Sequence, residues 1–249
     1  MRSACLLFLA ILLPPSVVKA AQIDQSAQYK ACMTLVTRSA ASAADSARTW
    51  IEQGGGIPAR HCLARALFSQ GQIEAAAQEL ENIIQLAAKD YTEFVPDLMG
   101  QAAQAWTRLG KLDRAYTLQS EALKRRPGDV DLLIDRAVTL GQEQNFVEAV
   151  DDLDQALKLA PRRVDALVYR ATAYRYLDAM HLAMEDLNKA LQLDGRSLPA
   201  LLERGIVKRL NGDDAGARSD WMALLRIAPG APEADSARAN LERMDVKTR

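Results

Sequence analysis

Residues 130–163 read VDLLIDRAVTLGQEQNFVEAVDDLDQALKLAPRR, and residues 164–197, which follow directly, read VDALVYRATAYRYLDAMHLAMEDLNKALQLDGRS. Laid one beneath the other they pair Arg136 with Arg170, Ala137 with Ala171, Ala149 with Ala183, Asp152 with Asp186 and Ala156 with Ala190. Within the first stretch, Leu133, Ala137 and Leu140 share one face of a helix over about 130–143, and Ala149, Leu153 and Ala156 share one face of a second over about 146–159. A short polar turn at Gln144-Asn145 joins them, and Pro161 ends the second by denying it a backbone donor. A two-helix unit of this length cannot bury its own apolar face, so it must stack on copies of itself.

The same beat runs outward in both directions. Ala115, Ala149, Ala183 and Ala217 keep step, as do Pro127, Pro161, Gly195 and Pro229, which defines units 96–129, 130–163, 164–197 and 198–231. A further unit, 57–90, carries Ala64, Leu67, Gly71, Ala76 and Leu80 at matching places, and a five-residue insertion, Tyr91 to Val95, separates it from the next. Residues 21–56 are expected to form a degenerate helical cap, with helices near 25–38 and 44–53 and a turn at Gly54-Gly55-Gly56. Residues 232–249 carry Ala237, Leu241 and Met244 on one face among charges, as expected of a C-terminal capping helix and tail that solvates the open end. The expectation is therefore an all-α chain, a solenoid of stacked helix-turn-helix repeats.

Residues 1–20 stand apart from this body. Arg2 precedes an apolar run from Ala4 to Leu13, too short to span a bilayer, and Val18-Lys19-Ala20 forms a small-residue exit. This reads as a signal peptide cut after about Ala20, leaving a periplasmic or secreted protein; the competing reading is a buried N-terminal helix. With 31 basic and 32 acidic residues in the chain, loss of Arg2 and Lys19 leaves a mildly acidic product without the basic excess of a nucleic-acid binder. No later apolar run approaches the length of a membrane span, so no insertion is expected after cleavage. Of three cysteines, Cys5 lies in the leader; Cys32 and Cys62 remain, to be joined as a disulfide in an oxidising compartment or left as two buried thiols.

The repeat resembles the tetratricopeptide repeat (TPR). Its small residue at position 8 is met by Ala103, Ala137, Ala171 and Gly205; position 20 by the alanine series; position 27 by Ala122, Ala156 and Ala190, where Leu224 departs. The resemblance implies a right-handed α-solenoid that binds protein or peptide partners in a concave groove lined by first-helix positions 2, 5, 9, 12 and 13. On those positions the candidate groove residues are His61, Arg65 and Phe68 in the first full unit, then Gln104 and Arg108, then Ile134, Val138 and Gln142. Val168, Thr172, Arg175 and Tyr176 follow, and Leu202, Ile206 and Arg209 close the series. The other possibility is that the C-terminal helix fills this groove. The Lys and Asn clamp with which chaperone-binding members hold a terminal carboxylate has no counterpart, so that ligand class is not carried over. In this register Cys32 and Cys62 fall on the first helices of adjacent units.

Arg136, Arg170 and Arg204 recur at position 7 and Asp152, Asp186 and Asp220 at position 23. They read as structural pairs tying helices together, or as an arginine ladder for a ligand. Tyr169, Tyr174 and Tyr176 form the densest aromatic stretch; Tyr174 falls on a core position, whereas Tyr169 and Tyr176 are anchors for a partner if they face outward. Nothing points to catalysis: His61 and His181 stand alone, and no nucleophile, zinc or nucleotide motif appears, so neither cofactor nor metal is expected. Arg outnumbers Lys 22 to 9 and no Asn-x-Ser/Thr sequon occurs, which favours a bacterial periplasmic protein. The function expected is a non-catalytic adaptor in envelope assembly or export, the alternatives being a self-associating scaffold or the accessory subunit of an envelope enzyme.

Overall fold

The computed structural model describes residues 25–87 and 93–247. The leader at 1–20 and the first two residues of the Tyr91 to Val95 insertion, Tyr91 and Thr92, therefore lie outside the described residues. Thirteen helices and no strand occur among them: α1 (Gln25–Arg38), α2 (Ala40–Glu52), α3 (Gly56–Ser69), α4 (Ile73–Ala87), α5 (Val95–Arg108), α6 (Leu112–Arg125), α7 (Val130–Gln142), α8 (Phe146–Leu159), α9 (Val164–Tyr176), α10 (Met180–Leu193), α11 (Leu198–Leu210), α12 (Asp214–Ile227) and α13 (Pro232–Lys247). Each helix packs on the next in sequence, and odd-numbered helices also touch across neighbouring pairs, the layout of a helical solenoid.

The alanine beat acquires a physical reason here. Ala76, Ala115, Ala149, Ala183 and Ala217 are all buried on second helices, where absent bulk lets the two helices of a pair approach closely. The turn between the helices of each pair demands a left-handed residue. Gly71, Gly110 and Gly212 supply it at φ of 77°, 71° and 82°, while Gln144 and Asp178 adopt φ of 65° and 60° at the equivalent places.

The cap departs from expectation at one helix boundary. Its second helix begins at Ala40, not near residue 44, because Ser39 interrupts α1 and accepts a hydrogen bond from the Ser42 backbone N–H, starting a new helix after one residue. Cys32 on α1 and Cys62 on α3 are joined by a disulfide with Cα atoms 6.2 Å apart, both within a cluster containing Ala43, Ala47, Trp50 and Ala59. Closing a loop of this length removes about 3.5 kcal/mol of unfolded-chain entropy in the simple model.

At the other end, Leu224 replaces the expected small residue without loosening the contact. It is fully buried in a cluster with Trp221, Ala234, Ala237 and Met244, so α13 supplies the small side chains that α12 lacks. Gly205 makes room for Trp221: a Cβ there would lie 2.3 Å from the indole nitrogen, which donates to the Leu202 carbonyl oxygen at 3.1 Å.

The three Arg to Asp pairs are structural. Arg136, Arg170 and Arg204 each donate twice to Asp152, Asp186 and Asp220, at 2.6 to 2.8 Å, joining the helices of one unit. The remaining arm reaches the preceding second helix, at Ser120 Oγ, Asp154 Oδ1 and Asn188 Oδ1. Each guanidinium thus clasps three helices from two units. Hydrogen bonds to the paired carboxylates raise Arg136 and Arg170 above the usual arginine range, so both stay charged.

Candidate partner-binding groove

The inner surface is made by the odd-numbered helices, and its polar side chains bond to one another across helix boundaries. His61 links three elements: the Tyr29 hydroxyl donates to Nδ1 at 2.7 Å and Nε2–H donates to Gln101 Oε1 at 2.9 Å, an arrangement that a neutral imidazole satisfies. Burial, reinforced by the nearby Arg65 charge and partly opposed by the Gln101 bond, lowers the His61 pKa. Gln104 donates to Asp135 Oδ2 at 2.7 Å, and Thr107 meets Thr139 at 3.1 Å. Arg175 pairs with Glu203 at 2.5 Å and lies 4.2 Å over the Tyr176 ring.

Several candidate residues are thereby committed to the array itself. Ile134 and Val168 are buried and form floor rather than open surface. Leu202 and Ile206 pack on the cluster to which α13 contributes Ala234, Ala237 and Met244, and Arg209 Nη1 donates to the Asn240 carbonyl oxygen at 3.3 Å. The C-terminal helix therefore covers the inner face of the last unit, because α13 occupies the place that a further first helix would take. Arg65 and Arg108 flank the Phe68 ring at 6.0 and 5.4 Å from its centroid.

At α7 and α9 exposed aromatic side chains adjoin a hollow in the groove. A depression of about 170 Å³ is lined by Val138, Gly141, Gln142, Phe146, Tyr169, Thr172 and Tyr176, over a floor that includes Ala137, Ala149 and Leu153. The Phe146 and Tyr176 rings stack face to face, 4.4 Å apart at an interplanar angle of 4°. Tyr169 and Tyr176 remain 43% and 58% exposed, whereas Tyr174 is half-buried against the core below Arg170, so the aromatic stretch divides as its register implies. Beyond Tyr169 a second depression, about 340 Å³, is lined by Val164, Asp165, Val168, Tyr169, Ser197 and Pro199. Val138, Gln142, Thr172 and Tyr176 were named from the first-helix positions; Phe146 was missed because it opens a second helix, and Gly141 because it has no side chain to notice.

No family model matches the sequence, and no curated protein matches it. Solved structures do match. PilF of Pseudomonas aeruginosa superposes with a TM-score of 0.68 at 16% identity over 87% of this chain and 97% of its own. A TPR protein of Thermus thermophilus gives 0.61 at 18% identity over 75% and 99%. The fold is that of the TPR proteins. Cut9, in the Cut9–Hcn1 hetero-tetramer of the APC/C, gives a TM-score of 0.66 at 15% identity, with 86% of this chain matched to 45% of that one. At these identities the likeness concerns architecture, and the TPR positions named from sequence acquire helices in the places they require. Among the described residues no group of three or more His, Cys, Asp or Glu side chains is placed to hold a metal ion, and no helix is long and apolar enough to cross a membrane.

Proposed function

We propose that this chain is an exported, non-catalytic adaptor that holds a protein or peptide partner in the inner groove of its TPR array, in envelope assembly or export. The observation that carries the reading is the open aromatic depression at α7 and α9. An array stabilised only by stacking has no need to leave Tyr169 and Tyr176 exposed beside a hollow, and such rigid amphipathic rings are favoured as interface anchors. The fold supports binding by analogy, since Cut9, which shares it, assembles with a second chain. Export is supported by the pattern of residues 1–20 and agrees with a disulfide between Cys32 and Cys62.

Affinity capture from the native envelope tests this. Mature wild-type protein is expected to retain a partner that the Tyr169→Ala, Tyr176→Ala double variant loses, while both melt at similar temperatures. Equal capture by both would overturn the groove reading. Light scattering separates the scaffold alternative, which requires the mature chain alone to self-associate.

A further inference from the structure

Position 12 of the repeat carries Phe68, Thr107, Arg175 and Arg209 in the other full units, but Gly141 in the unit 130–163. Glycine inside a helix costs about 1 kcal/mol relative to alanine. Its consequence is a missing side chain at the site: a Cβ built on Gly141 meets nothing within 4 Å, and Gly141 itself lines the depression bounded by Val138, Phe146, Tyr169 and Tyr176. An apolar cavity of roughly 150 Å³ accepts a benzene-sized ring, and this one, at about 170 Å³, matches a single phenyl or isobutyl group. It is smaller than the sites that enclose whole small-molecule ligands.

The flank of the same groove is short of positive charge. Asp131 and Asp165 share one guanidinium, that of Arg163, at 2.7 Å to each. Asp135, on the first helix next to Tyr169, is half-buried and bonded to the neutral amide of Gln104, with no salt bridge among the described residues. Three carboxylates therefore meet one cation. Burial first, then Asp131 and Asp129, push the Asp135 carboxyl above its usual range, so its charge is held at a cost in the free protein. Asp165 also lines the second depression, whose other walls are largely apolar, a combination suited to a long side chain with a charged tip.

We infer that the groove of this adaptor recognises a partner segment carrying a phenyl or isobutyl side chain, seated at Gly141 between Phe146, Tyr169 and Tyr176, close in sequence to a lysine or arginine that meets Asp135 and Asp165. The inference rests on the groove reading above and adds the chemistry of the occupant. The apolar group gives the anchor, and the cation supplies the charge that the three carboxylates lack, favouring basic over acidic segments.

A display library of random peptides, selected on the full mature protein and counter-selected on Gly141→Leu, tests it. The substitution fills open space and removes a helical glycine, so this variant should melt no lower than wild type. Enriched peptides are expected to carry Phe, Leu, Tyr or Met within a few residues of Lys or Arg. Resynthesised, they should lose most affinity on Gly141→Leu, weaken about 3- to 10-fold on Asp135→Asn, and weaken with added salt. Peptides lost on Tyr176→Ala but indifferent to Asp135→Asn, or flanked by acidic residues, would overturn this inference and leave the groove reading standing. Peptides indifferent to every groove substitution, or no enrichment at all, would overturn both. Self-association of the chain that Gly141→Leu abolishes would replace the partner segment by a second copy and also refute the proposal.

Discussion

Replacing Gln119 by leucine is expected to stabilise the array. Gln119 sits on α6 at position 24, which the other full units fill with Leu80, Leu153, Leu187 and Trp221, all buried. It is equally buried, at 1% exposure, and its amide oxygen finds no hydrogen-bond donor among the described residues. A stranded acceptor costs about 1–3 kcal/mol, and leucine, one atom shorter but branched, removes it while adding apolar contact. Allowing for imperfect fit of the branched chain, the expected gain is about 1–2 kcal/mol. For a chain of this size that corresponds to roughly 3–6 °C in melting temperature. Because stability in a repeat array is distributed over units and their interfaces, the gain should be localised. Urea unfolding followed by circular dichroism measures the total, and peptide-resolved hydrogen exchange should show slowed opening in α5 to α8. Gln119→Ala, which leaves a cavity, should instead lose stability. If Gln119→Leu proves neutral or destabilising, the oxygen is not stranded and the assignment of this position to the common core of the repeat is wrong.

Further outcomes follow from the same geometry. Gln144→Gly and Asp178→Gly should each leave stability unchanged or raise it by up to about 1 kcal/mol, because they relieve left-handed backbone, while Gly110→Ala should cost about 1 kcal/mol; thermal melts compare them. Breaking one clasp by Asp186→Ala should cost about 2–4 kcal/mol by leaving the half-buried Arg170 guanidinium with only the exposed Asp154, whereas Arg170→Met with Asp186→Leu should recover most of that loss in urea unfolding. His61 has a depressed pKa when folded, so the unfolded chain takes up the proton first as pH falls below about 6.5. Cap stability should decline as pH drops through that value toward the folded pKa, with a shallower slope in His61→Phe, as hydrogen exchange of α1 between neutral and mildly acidic pH can show. Mass spectrometry of the protein purified without reductant should find one peptide pair linked through Cys32 and Cys62, and reduction should loosen α1 first.

The fold was legible because its signal is periodic. Ala149 and Ala183 mark helix contacts wherever the register places them, and one aligned pair of units is enough to locate the rest. The cap was less legible because nothing repeats there: Ser39 divides α1 from α2 by a hydrogen bond to Ser42, a local event with no Pro or Gly to announce it. The groove was harder still, since periodicity predicts where first-helix side chains point but not what they touch. Arg175 and Arg209 face the predicted side, yet Glu203 and the backbone of α13 engage them. The open site at α7 and α9 depends on an absence at Gly141 and on Phe146, a second-helix residue that reaches the groove by stacking on Tyr176. Both effects are tertiary, and a repeat register carries no record of them.

The central claim is that the partner lies on the inner face at α7 and α9. Site-specific photocrosslinking in cells of the native source tests it directly, with a photoreactive residue at Gln142 on the groove rim or, as controls, at the exposed Asp151 and Lys189 of the second helices. The account predicts a discrete adduct from Gln142 that Gly141→Leu abolishes, and none from the controls. Adducts from Asp151 or Lys189 with none from Gln142 would place the partner on the outer face and contradict it.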